Sequence, residues 1–170
     1  MASRSGVTAN FGNFSRDIRA MNDRFVHDVG EIVSITVGDI ANEARRLAPE
    51  DGDPIETEHG PESQQDIKNG RPWVSIRQAI GESEAPDKLS GEIHVEQRAG
   101  ELAAWREFGT GQSARSYLAT VPPQWQAAAR RFYISGDGTI LNRPYLYPAV
   151  INGEKYFKKE IKDLLRRQRP

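Results

Sequence analysis

Residues 101–110 read Glu-Leu-Ala-Ala-Trp-Arg-Glu-Phe-Gly-Thr, and the rest of the chain is organised around this stretch. Leu102, Trp105 and Phe108 recur at three-residue spacing, which predicts a short helix with one apolar face. Gly109 follows where this helix should end, at a position that favours glycine because glycine tolerates positive φ. A core helix with a glycine cap accounts for these residues without invoking any chemistry.

One residue of this stretch asks for a specific partner. Glu107 lies close to the end of the predicted helix, where the helix dipole disfavours an acidic side chain. We therefore expect Thr110 or a backbone amide to hydrogen-bond its carboxylate. Glu107 and Thr110 are predicted to hold the turn that follows the helix, in a structural rather than a catalytic role.

An apolar stripe in residues 14–47 predicts a long amphipathic N-terminal helix, which Pro49 ends. The helix would be about 50 Å long, more than the core of one small domain needs. Part of the stripe therefore either packs on a neighbouring subunit or wraps the chain's own sheet. The stripe comprises Phe14, Ile18, Met21, Phe25, Val29, Ile32, Val33, Val37, Ile40, Ala44 and Leu47.

A small antiparallel sheet and a last helix complete the predicted core. Residues 92–97 alternate between polar and apolar side chains, as a half-buried strand does, and we place its hairpin partner in residues 74–81. The last helix has Pro148 in its first turn and one apolar face over residues 146–164. We predict a single α+β domain of 170 residues, with the long N-terminal helix and the C-terminal helix packed on this sheet.

Three segments are predicted to lie outside that core. Residues 1–12 form a flexible N-terminal arm, and residues 50–70 form an acidic loop punctuated by proline and glycine. Residues 111–142 form an inserted excursion with a β-hairpin. The acidic loop contains no lysine or arginine between Glu50 and Asp66. Its seven acids are Glu50, Asp51, Asp53, Glu56, Glu58, Glu62 and Asp66.

The hairpin of the excursion is predicted from its turn. Gly136, Asp137 and Gly138 lie between two short segments with strand character, a strong signal for a tight turn. Excursions of this kind usually extend from a scaffold and carry contacts. We therefore predict that these three residues contact another chain during assembly.

Composition and motifs argue against several classes of function. The formal net charge is −1, which argues against bulk nucleic-acid binding, and the absence of cysteine excludes disulfides and zinc sites built on thiolates. His27, His59 and His94 lie in three different predicted elements without a nucleophile pattern, and the acidic loop lacks the spacing of a calcium loop. No apolar run is long enough to cross a membrane. The sequence predicts no catalytic, cofactor or metal site.

The order of four short motifs resembles a known family. A helix ends in Ala48-Pro49, Ser75-Ile76 follows, and the two remaining motifs lie in the central stretch and at the start of the last helix. This order resembles the neck, or tail-component, family of long-tailed bacteriophages, to which the lambda minor tail protein Z looks related. The two motifs that carry most of the resemblance are Glu107-Phe108-Gly109-Thr110 and Pro144-Tyr145-Leu146-Tyr147-Pro148-Ala149.

The resemblance implies a structural protein of the virion at the head–tail junction. Such a protein would form a homo-oligomeric ring, of six or twelve copies, that joins the tail to the head after assembly in the host cytoplasm. Its partners would be a head-closure or connector protein and a tail terminator or tail tube protein. DNA would pass through the ring without specific binding, and neither a membrane, a cofactor nor an enzymatic activity is expected. The alternatives are a tail terminator that caps the tail tube and, from another class, a small hydrolase or regulatory binding domain.

Overall fold

The computed structural model describes residues 11–50, 55–57, 60–62, 75–123, 125–127 and 140–168. Its elements form the predicted α+β fold, with a long N-terminal helix, a C-terminal helix and a small antiparallel sheet. The helices include α1 (Phe11–Leu47), α2 (Ile76–Ala79), α3 (Gly100–Phe108), α4 (Gly111–Leu118) and α5 (Leu146–Arg167), and a 3-10 turn, Gln97–Ala99, precedes α3. The strands β1 (Ile55–Thr57), β2 (Gly60–Glu62), β3 (Ile80–Glu84) and β4 (Gly91–Val95) pair as two antiparallel hairpins.

α1 is the predicted long helix, and α5 packs along its second half. Its 37 residues span about 55 Å at a rise of 1.5 Å per residue. The helix begins at Phe11, so the last two residues of the predicted N-terminal arm are helical. The first turns of α5 share a core cluster with Ile40 and Ala44 of α1 and with Ala48 just after it, and Gly153 of α5 lies against Ile40. The two helices therefore run antiparallel.

Residues 19–29 of α1 are largely exposed. α5 has 22 residues and spans about 33 Å, against about 55 Å for α1. Residues 19–24 are all exposed, and the Met21 side chain is 54% exposed although it belongs to the apolar stripe. Burial of the large stripe residues begins at Val33. Within the described part of the chain, the stripe is thus longer than the surface that covers it.

The β3–β4 hairpin packs on another side of α1. Ile80 pairs with Val95 and Glu84 pairs with Gly91, so β4 lies close to its predicted position. The predicted partner in residues 74–81 was wrong for most of its length. The Ser75 hydroxyl accepts a hydrogen bond from the Gln78 amide and so caps a helical turn, and the strand begins only after that turn.

The predicted loop of residues 50–70 contains a second hairpin. Within it, β1 and β2 pair antiparallel, with Ile55 opposite Glu62 and Thr57 opposite Gly60. Three-residue strands lie below the length at which alternation can be recognised in a sequence, which explains why none was predicted. Residues 51–54, 58–59 and 63–70 of this loop lie outside the described part of the chain.

The start of the predicted excursion is a helix rather than an irregular segment. α4 follows α3 after a two-residue turn, and its Ala114 is fully buried. Tyr117 and Leu118 pack against a cluster formed by Ala104 and Phe108. Residues 111–118 therefore belong to the body of the domain. The predicted hairpin turn at 136–138 lies outside the described residues.

The main core lies where the end of α1, the starts of α2, α3 and α5 and the β3–β4 hairpin meet. The buried residues of this core are Ile40, Ala44, Ala48, Ile76, Ile80, Leu102, Ala103, Ile140, Tyr145 and Ala149.

No helix in the described ranges is long and apolar enough to cross a membrane.

Candidate functional site

The turn between α3 and α4 can accommodate only glycine. Gly109 has φ +73°, a conformation that side-chain-bearing residues rarely adopt. A Cβ at this position would lie 2.7 Å from the Ser113 Oγ, 2.8 Å from the Asn142 amide nitrogen and 2.9 Å from the Ile140 carbonyl oxygen. The glycine cap predicted from the sequence is therefore confirmed. Because Gly109 has no side chain, Ile140 and Asn142 can lie against this turn.

Glu107 binds the start of α5, 38 residues further along the chain. Its Oε2 accepts hydrogen bonds from the backbone amides of Tyr145 and Leu146, each at 2.8 Å. Its Oε1 accepts one from the Tyr147 amide at 3.0 Å and one from the Tyr117 hydroxyl at 3.1 Å. The side chain lies almost wholly inside the protein, since Glu107 is 2% exposed.

This carboxylate serves as the N-terminal cap of α5. The first amides of a helix have no partner within the helix, and Tyr145, the residue at the cap position, offers no side-chain hydrogen bond to them. Glu107 supplies the missing acceptor from α3, and its negative charge faces the positive end of the α5 dipole. We predicted that Thr110 or a backbone amide would bind Glu107 in the turn that follows α3. Backbone amides do bind it, but they belong to the start of α5 and not to that turn.

Burial and hydrogen bonding act in opposite directions on the Glu107 carboxyl. Burial raises its pKa above the ordinary value, and the hydrogen bonds from Tyr145, Leu146, Tyr147 and Tyr117 oppose that rise. Burial, followed by the nearby Glu107 carboxylate, also raises the pKa of Tyr117 and of Tyr145. Both phenols therefore stay protonated at neutral pH, so the Tyr117 hydroxyl can donate to Glu107.

Thr110 hydrogen-bonds Ile140 and so holds that residue at the same turn. Its backbone amide donates to the Ile140 carbonyl at 2.9 Å, and its Oγ1 accepts from the Ile140 amide at 2.9 Å. One turn further on, the Ser113 hydroxyl donates to the Asn142 Oδ1 at 2.8 Å and accepts from the Asn142 amide at 2.9 Å. These paired bonds hold residues 140–142 against the start of α4.

Aromatic rings close the other side of the junction. Phe108 lies 6.3 Å, between ring centroids, from both Tyr117 and Trp125. Trp125 in turn contacts Tyr147 edge to face at 5.2 Å. These separations are typical of favourable aromatic pairs. The rings thus connect α3, α4 and the first turn of α5 around the buried carboxylate.

The structure brings together most of the residues singled out from the sequence. Glu107 contacts the segment that contains Tyr145 and Leu146, and Thr110 and Gly109 adjoin the same segment through Ile140. Pro144 and Pro148 flank the start of α5 and are half-buried. Gly136, Asp137 and Gly138 lie outside the described residues, so their assembly contacts stay a prediction.

Several participants of the junction were not predicted. Tyr117, Ser113 and Asn142 each make a hydrogen bond that holds it together. The one signal in the sequence was the isolated Tyr117-Leu118 pair in an otherwise polar stretch. Tyr117 lies about two helical turns after the cap residue Thr110, and it reaches the buried Glu107 because the polar stretch is itself a helix.

The arrangement is suited to holding elements together rather than to proton transfer, because the chain's own donors occupy both carboxylate oxygens of Glu107.

In the described ranges, His27, Asp28 and Glu31 have ligand atoms within 4.8 Å of one another and could hold a metal ion. His27 and Glu31 are exposed on one face of α1.

No family model, no curated protein and no solved structure matches the chain, so the geometry is the main guide to its function.

Proposed function

We propose that this chain is a structural virion protein that forms a ring at the head–tail junction of a long-tailed phage and joins the tail to the head. The observation that carries the proposal is the contact between its two motifs. Glu107 to Thr110 and the residues that open α5 lie far apart in the sequence, yet they meet in one buried network. These are the residues on which the resemblance to phage neck proteins depends.

The network supports this role because it fixes both ends of one segment. Thr110 and Ile140 are hydrogen-bonded to each other through backbone and side chain, so the residues between them start and finish at one rigid base. A segment anchored in this way can carry contacts to another chain without loosening the fold. The turn at residues 136–138, predicted to make such contacts, belongs to this segment.

Exposed apolar side chains on α1 support assembly into an oligomer. A single chain leaves Met21, Val26 and Ile35 of this helix between 40% and 54% exposed. Val26 and Ile35 line one groove, and exposed apolar surface of this kind is typical of interaction sites. In a closed ring, each subunit would offer one surface to the next and receive a different one, so the interface would be heterologous. We propose six or twelve copies, between a head-closure or connector protein and a tail terminator or tail tube protein.

Counting copies in purified particles tests this proposal. Quantitative mass spectrometry should find the chain in mature virions in a multiple of six, at a constant ratio to the other neck proteins. A chain that is made during infection but is absent from virions would contradict a structural role and favour the hydrolase or regulatory domain. Tails of uncontrolled length in particles that lack the chain would instead identify it as a tail terminator.

A further inference from the structure

The C-terminal half of α5 presents an apolar row beside a basic row, which we call the α5 ridge. Both rows repeat every four residues, so each follows one face of the helix. The side chains of the two rows lie next to each other on the helix surface. Leu165 is 49% exposed. Residues 157–167 contain five cations and two acids, a net charge of +3. The ridge consists of Phe157, Ile161 and Leu165 in the apolar row and Lys158, Lys162 and Arg166 in the basic row.

A groove of the opposite charge lies between α1 and the turn that joins β3 to β4; we call it the α1 groove. It has a volume of about 530 Å³, enough to receive several side chains. Its apolar lining includes Val26 and Ile35, which are 40% and 51% exposed. The residues that line it are Val26, His27, Gly30, Glu31, Ser34, Ile35, Asp87 and Lys88.

Acidic side chains outnumber basic ones around the α1 groove. Glu31 and Asp87 line it directly. Asp28 lies within 4.8 Å of the Glu31 carboxylate group, and Glu84 accepts a hydrogen bond from the Ser34 hydroxyl at the groove wall at 2.6 Å. Against these four acids stands Lys88. The groove therefore complements the α5 ridge in charge, and both surfaces include exposed or half-buried apolar side chains.

The two surfaces lie on different sides of the molecule. Gly30 and Val37 of α1 face the β3–β4 hairpin, whereas Ile40 faces Gly153 of α5. At 3.6 residues per turn, Gly30 and Val37 lie only about 80° and 60° around α1 from Ile40, but Ser34 and Glu31 of the groove lie about 120° and 180° from it. A ridge and a groove placed in this way face apart in one copy. They can meet only between copies, and each contact leaves a free ridge and a free groove.

We propose that the α5 ridge of one copy packs into the α1 groove of a second copy. The apolar row would cover Val26 and Ile35, while the basic row would lie along Glu31 and Asp87. Complementary potentials of this kind fix the orientation of an interface. The contact is heterologous, so repetition gives a ring or a filament. The interface deepens the proposed ring role, and it can be tested on the purified chain independently of that role.

Disulfide cross-linking provides the first test, because the chain has no cysteine of its own. Ile35→Cys places one thiol in the groove and Leu165→Cys places one on the ridge. An oxidised mixture of the two single variants should give a cross-linked dimer, and the double variant should give a ladder of higher multimers. Ser116→Cys, on the exposed face of α4, is the matched control and should cross-link only at background level.

Each outcome of this experiment decides the matter. If Leu165→Cys alone forms dimers as readily as the mixture does, the contact is two-fold symmetric and the proposal is wrong. Cross-linking no greater than with Ser116→Cys, both in the purified chain and in assembled particles, would also overturn it. Abundant copies in virions without cross-links would refute the ridge-and-groove contact but leave the neck role standing. Cross-links in a chain absent from virions would do the reverse.

Charge reversal provides a second test that does not depend on oxidation. The variants Lys162→Glu/Arg166→Glu and Glu31→Lys/Asp87→Lys should each self-associate at least about tenfold more weakly, because like charges then face each other. An equimolar mixture should associate again, since the acidic ridge of one variant meets the basic groove of the other. Sedimentation velocity measures both effects. Association of the separate variants at the wild-type level would contradict the proposal.

Discussion

Replacing Glu107 by glutamine tests whether this carboxylate holds the start of α5. The substitution keeps the size of the side chain and removes one of its two acceptor oxygens. Glutamine can still accept from the two amides that now bond to Oε2. Its amide nitrogen then faces the Tyr147 amide, which is also a donor, while the Tyr117 hydroxyl can rotate to accept from it.

The expected loss follows from those contacts. One buried donor without an acceptor costs about 1–3 kcal/mol, and the bonds that remain lose the extra strength of a charged acceptor, about 1 kcal/mol each. Part of this loss is offset because the neutral side chain no longer buries a charge. We therefore expect Glu107→Gln to lower the free energy of unfolding by about 2–3 kcal/mol.

Urea unfolding followed by far-UV circular dichroism, at pH 7 and a fixed protein concentration, measures this change. Glu154→Gln is the matched control, because Glu154 is an exposed α5 residue that pairs with Lys158. The control should change the free energy of unfolding by no more than about 0.5 kcal/mol. A loss below about 1 kcal/mol for Glu107→Gln would refute the role assigned to the carboxylate.

Four further substitutions test the packing around the junction and between the long helices. Gly109→Ala should destabilise the fold by about 2 kcal/mol or more in the same assay, because its Cβ would combine a strained φ with close contacts, and an unchanged midpoint would contradict this. Thr110→Val should cost about 1–2 kcal/mol, since the Ile140 amide loses its acceptor; no loss would argue against the paired bonds. Gly153→Ala should lower the thermal midpoint by crowding the α1–α5 interface, whereas Gly38→Ala, which meets nothing within 4 Å, should raise it; the opposite order would mean that the helices do not pack this closely.

Local rules account for the parts of the fold that could be predicted. The spacing of Leu102, Trp105 and Phe108 fixes one face of α3, and Gly109 ends the helix where its backbone freedom is needed. The stripe on α1 predicted a helix of nearly the observed length. Each of these signals is contained within a few helical turns, so no knowledge of the rest of the chain is required to recognise it.

The partners of Glu107 depend on contacts between distant parts of the chain. The sequence indicates that this acid needs donors, but the amides that satisfy it lie 38 to 40 residues away. α4 was missed for a related reason. Its polar surface shows little apolar periodicity, and the contacts that join it to the rest of the fold include the burial of Ala114 and the bond from Tyr117 to Glu107. Periodicity detects helices with a wide apolar face and overlooks those held by a few contacts.

Electron microscopy of particles assembled without this chain tests the proposed function most directly. If the chain joins the tail to the head, the preparation should contain filled heads and separate tails of normal length, and supplying the purified chain should restore joined particles. Joined, infectious particles assembled in its absence would contradict that role.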